Sequence, residues 1–167
     1  MITSLPLSKI GQTVMSKMQQ QQPAHPEPLM TFPSAALYWF DVEKTILYIH
    51  VHARWGWPEF IAGSSRISAF IRQVQRPIYV IAHYEYDAPF TNDRRVYAIL
   101  RDSFDPIPNQ ILFVRCGSCV MLDILTAQAA TIYNLRSMLN RQIAVPTLAD
   151  AVRSVAQHRE GVYQRRG

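Results

Sequence analysis

The chain has 167 residues, 49% of them hydrophobic and 17% charged, which supports one domain with a substantial core and excludes two full-sized ones. No apolar run approaches the roughly 18 to 20 residues that span a bilayer, the N-terminus lacks a compact secretory segment, and two cysteines are too few for a disulfide framework. The formal net charge of +5 is concentrated in residues 153–167, where Arg153, Arg159, Arg165 and Arg166 face only Glu160, so a cytoplasmic protein with no specific nucleic-acid partner is expected.

Residues 1–34 differ from the rest. Gln19 to Gln22 form a glutamine run, and Pro23, Pro26, Pro28 and Pro33 follow closely. Proline fixes an extended backbone and removes a donor, so a disordered or flexible extension is expected here. The domain is expected over 35–157, with a basic tail over 158–167. Leu37 to Phe40 and the β-prone run Ile46 to Ala53, separated by Asp41-Val42-Glu43-Lys44, predict an opening hairpin.

Trp57-Pro58-Glu59 starts a helix, because proline suits the first turn and a carboxylate suits the positive end of the dipole. Phe60, Ile67, Phe70, Ile71 and Val74 form its apolar stripe, and Pro77 ends it. Ile78 to His83 is a third strand. Thr91, Asn92 and Asp93 offer N-caps for a helix through Val96, Leu100 and Phe104. Ile111 to Cys116 is a fourth strand, Ser118 to about Leu139 a long helix, and Ile143 to Val145 a short fifth strand. Thr147 caps a last helix through Val155. The order ββαβαβαβα implies an α/β fold with a mixed, mostly parallel sheet.

This order resembles the STAS-like fold of bacterial anti-sigma-factor antagonists, and particular residues fit it. They are Trp39-Phe40-Asp41, Trp55-Gly56-Trp57-Pro58-Glu59-Phe60, the strand Pro77 to Ile81, the pair Pro108-Asn109, and Thr147-Leu148-Ala149-Asp150-Ala151. The match spans roughly residues 36 to 156 and looks closest to small single-domain members. The resemblance implies a non-catalytic regulatory or protein-interaction module, binding a protein partner or a second copy of itself. Antagonists of this kind are phosphorylated on a hydroxyl at the turn after the third strand. Here that turn reads Asp87-Ala88-Pro89-Phe90-Thr91-Asn92, so Thr91 is the candidate phosphosite, and equally a helix cap. A small-molecule sensor is a further alternative that the resemblance implies.

Alternation along the strands places Tyr48, His50, His52, Tyr79 and His83 on the sheet face opposite the expected helices. As an aromatic surface they form the candidate interaction face. A three-histidine metal site would need His83 at the matching height on a neighbouring strand, and no metal or other cofactor is expected. The loop Tyr84-Glu85-Tyr86-Asp87 follows the carboxyl end of a strand, where open α/β sheets bind ligands; Tyr84, Glu85, Asp87 and Asn109 are candidate ligand groups. Cys116-Gly117-Ser118-Cys119 lies between a strand and a helix. It supports an alternative thiol–disulfide oxidoreductase, with Cys116 as nucleophile and Cys119 as resolver.

Overall fold

The computed structural model describes residues 27–103, 106–135 and 141–164. In chain order the elements are β1 (Met30–Thr31), β2 (Ala35–Trp39), β3 (Ile46–Val51), α1 (Trp57–Gln73), β4 (Ile78–Tyr84), α2 (Arg95–Ser103), β5 (Gln110–Gly117), α3 (Val120–Ile132), β6 (Gln142–Val145) and α4 (Leu148–Gln164). The strands form one six-stranded sheet whose spatial order follows the chain, β1 to β6. β1, β2 and β3 are antiparallel neighbours, whereas β3 to β6 are parallel. The α/β class and the mixed sheet agree with the sequence reading.

Three boundaries differ from expectation. Met30 and Thr31, assigned above to the extension, pair with Leu37 and Ala36 as an edge strand. The Leu29 amide also donates to the Leu37 carbonyl at 2.7 Å. Residues 1–26 lie outside the described residues. Helix α3 stops at Ile132 because Asn134 takes φ 54, and the Leu135 amide then closes back on the Ala130 carbonyl at 2.9 Å. This left-handed turn satisfies orphan carbonyls and ends the helix at Ile132; residues 136–140, which the expected helix also took in, lie outside the described residues. Residues 158–164, expected in the tail, continue α4.

The chain steps one strand at a time from β3 to β6, and such crossovers place their helices on one face. Ile71 of α1, Val96 and Leu100 of α2, and Leu122, Leu125 and Ala129 of α3 accordingly join Leu47, Ile49, Val80 and Ala82 in one core cluster. α4 has no further strand to reach, and it covers the other face. Its Ala151, Val152 and Val155 pack on Tyr79, Ile81, Leu112, Val114 and Cys116.

Side chains tie these layers together. In the β2–β3 turn, Asp41 Oδ1 accepts the amides of Thr45 and Ile46, each at 2.8 Å. Arg159 of α4 hydrogen-bonds Thr45 Oγ1 and lies 5.0 Å over the Tyr79 ring. The Asn109 amide donates to the Ile71 and Val74 carbonyls at 2.6 and 2.7 Å, closing the C-terminal end of α1. Among the described residues, no helix is long and apolar enough to cross a membrane.

Candidate functional site

The alternation argument divides the strand residues between the two faces as expected, but the second face is not open. Tyr48 and Tyr79 are buried, Tyr79 under the α4 residues His158 and Arg159. The phenol of Tyr48 is pushed well above its ordinary pKa by burial. These two tyrosines therefore form core and not an interaction surface: α4 covers Tyr79, and the rings of Tyr38, Phe40 and His83 enclose Tyr48, cover that a face-by-face reading of the strands cannot foresee.

The histidines beyond this cover do meet. His50 and His83 are register partners on β3 and β4, with rings stacked 5.5 Å apart. His83 Nδ1 lies 2.9 Å from the Tyr48 hydroxyl, and His50 Nε2 lies 2.6 Å from Glu85 Oε1. Burial first, and the neighbouring His50 second, hold the His83 imidazole below its ordinary pKa. His52 sits one residue past the end of β3, exposed, with its ring edge-on to His50. Among the described residues, no three His, Cys, Asp or Glu side chains are arranged to hold a metal ion.

The loop candidates serve the fold. Asp87 accepts the amides of Met121 and Leu122 at 2.7 and 3.1 Å, which caps α3. Tyr84 is buried, and Asn109 is committed to α1. Thr91 Oγ1 accepts the Asp93 amide at 3.0 Å, and Asp93 in turn accepts the Arg95 amide that opens α2. Thr91 is thus a turn residue, one step removed from the cap.

The two cysteines fall in different core clusters, Cys116 under α4 and Cys119 on the side of α1 to α3. Cys119 holds the N-cap position of α3, and its thiol donates to Asp123 Oδ2 at 3.6 Å. Burial pushes both thiols up to about 12, and the Asp123 carboxylate acts in the same direction on Cys119. A nucleophilic thiolate needs the opposite environment.

The feature that the sequence reading missed lies on the first face. Between the sheet and α1 to α3 is a cavity of about 410 Å³, within the range of small-molecule sites. Its origin is local. The side of α1 turned to the sheet carries Phe60, Gly63, Ser64, Ile67, Ser68 and Ile71 at helical spacing, and small residues interrupt the apolar stripe in its middle. Most of α1 is therefore only half-buried, and Ile71 is its one buried residue.

Polar groups enter this apolar space at two places. Near β2, Glu59 Oε1 accepts from the amide and hydroxyl of Ser34 at 2.8 and 2.5 Å. Near β5, Arg115 is 8% exposed and is flanked in register by the small residues Ala82 and Ala144. Its Nε donates to Asp123 Oδ1 at 2.8 Å and its Nη1 to Gln142 Oε1 at 3.0 Å. Thr126, 2% exposed, lines the same space, and its hydroxyl has no hydrogen-bond partner among the described residues. Two signals for this site stood in the sequence: a charged residue inside the apolar strand Ile111 to Cys116, and the Gly63-Ser64 gap in the stripe of α1.

Comparisons with protein-family models, with curated proteins and with solved structures found no match.

Proposed function

We propose that this chain is a non-catalytic regulatory module of STAS-like kind that binds a small molecule between its sheet and the helices α1 to α3. The carrying observation is the 410 Å³ cavity with the partnerless Thr126 hydroxyl on its wall. A buried hydroxyl left unpaired costs about 1–3 kcal/mol, and a ligand or water that pairs it recovers that loss. Apolar walls gain in the same way when a ligand displaces water from them. The strand–helix alternation after an antiparallel opening supports the STAS-like assignment. The raised thiols and the structural commitments of Asp87 and Asn109 speak for binding over catalysis.

The test uses N-phenyl-1-naphthylamine, a neutral apolar dye that fluoresces out of water. Saturable, one-to-one binding is expected, and Ile67→Trp, which fills the cavity from α1, is expected to abolish it without loss of thermal stability. No saturable binding, or binding indifferent to Ile67→Trp in a folded variant, would refute the cavity as a site.

A second reading, a module that docks a protein or another copy of itself, is favoured by one observation. Val120 and Ile124, one turn apart on the outer side of α3, are 69% and 47% exposed, so this helix is apolar on both sides.

A further inference from the structure

We infer that the cavity takes an elongated, mostly apolar molecule with a single acidic group, and that this group seats at the Thr126–Arg115–Arg141 end. The inference rests on the proposal that the cavity is a binding site, and it adds the ligand's shape, charge and direction.

The shape follows from the sheet. The lining begins at Phe32, Ala35 and Ile49 beside α1 and reaches Phe113, Arg115 and Gln142 beside α3. From β2 to β5 is three strand intervals, about 14 Å at the usual spacing. Along α1 the lining runs from Glu59 to Ile71, about 18 Å at helical rise, so a volume of 410 Å³ spread between these limits is shallow and extended and suits a chain better than a compact polar ring system. Phe60, Ile67, Ile71, Leu100 and Ile107 make most of the cavity walls apolar, with the hydroxyls of Ser64, Ser68 and Ser103 and the Gln110 amide between them.

The charge differs between the ends. At the β5–α3 end Arg115 and Arg141 line the cavity, Arg115 buried and Arg141 exposed at its rim. Asp123 balances one of them through Arg115, and among the described residues no carboxylate pairs with Arg141, so one positive charge is left over there. Thr126, one turn after Asp123 on α3, has a hydroxyl with a proton to donate and no acceptor among the described residues. A carboxylate satisfies both needs, because it accepts from the hydroxyl and offsets the excess charge. At the opposite end the carboxylate of Glu59 lines the wall, and it repels an acid placed the other way round. Hydrogen bonding and charge therefore select the same orientation.

Displacement of N-phenyl-1-naphthylamine by dodecanoate, dodecanol and dodecylammonium separates the inference from the proposal beneath it. Dodecanoate is expected to displace the dye at a concentration at least about tenfold below that of dodecanol, the worth of one buried charge-assisted contact. Dodecylammonium is expected to be weakest. Thr126→Val, which removes only the unpaired hydroxyl, and Arg141→Gln, at an exposed position, are each expected to shrink the advantage of dodecanoate over dodecanol, read as the ratio of their displacing concentrations so that any change in dye affinity cancels. Equal displacement by all three, or a preference for the ammonium, would overturn the acidic-ligand inference and leave the cavity proposal standing. Failure of the dye itself to bind would remove both.

Discussion

Gly117 sits where two strand ends approach too closely for any side chain. Its φ is +87, and a Cβ there would lie 2.3 Å from the Tyr84 carbonyl oxygen. That carbonyl accepts the Ser118 amide at 2.7 Å, so the close approach is what seats the turn between β5 and α3. The Cys-Gly-Ser-Cys sequence owes its glycine to this contact, whereas redox chemistry would have required a stabilised thiolate. One strand away, His83 gives the residue scale its pH dependence. Burial and His50 lower its pKa while Glu85 opposes them, and Tyr48 and Cys116 also face it. Above the unfolded value of 6.5 this group leaves stability intact. As pH falls below it, the unfolded chain takes up the proton before the native one does, and stability is lost. His83→Gln keeps a partner for the Tyr48 hydroxyl and is expected to flatten the fall of the urea midpoint between about pH 7 and pH 5. An unchanged slope would assign the pH sensitivity to other groups.

At the scale of elements, the ends of α1 and α3 are fixed by side chains far away in sequence. Asn109 closes α1 from the loop before β5, and Asp87 opens α3 from the loop after β4. Both residues looked like free polar groups in exposed loops, because a sequence shows which residues can cap and not which helix end will reach them. Asp87→Ala removes an ionised acceptor from two first-turn amides and is expected to cost about 2 kcal/mol in urea unfolding, with Asp87→Asn recovering part of it. A loss below about 0.5 kcal/mol would mean that water replaces the carboxylate without penalty. Caps local in sequence were legible: Pro58 in the first turn of α1, and Thr147, whose hydroxyl accepts the Asp150 amide at 3.1 Å at the start of α4. The length of α3 was not, since leucine, alanine and isoleucine propagate a helix until an asparagine adopts a left-handed turn.

For the whole molecule, the two faces of the sheet have separate fates. α4 closes one with small residues that pack tightly, while α1 leaves a void over the other. The outer side of α3, with Val120 and Ile124 exposed one turn apart, is an apolar surface open to a partner. If it joins two copies of the chain, sedimentation equilibrium will show a dimer that Ile124→Glu converts to monomer. A wild-type chain that stays monomeric at all concentrations would exclude self-association through α3.

The sequence by itself determined the α/β class, the strand–helix alternation and the partition of Leu47, Ile49 and Val51 from Ile46, Tyr48 and His50. Each follows from periodicity and local breakers, which act within a few residues. The tertiary structure alone decided that α4 buries Tyr79 while Tyr38, Phe40 and His83 enclose Tyr48, that Asp87 and Asn109 are caps, and that Arg115, Thr126 and Glu59 share one cavity. Those facts depend on which surfaces meet across the sheet, and side chains more than fifty residues apart, such as Glu59 and Arg115, carry no local signal of a common space.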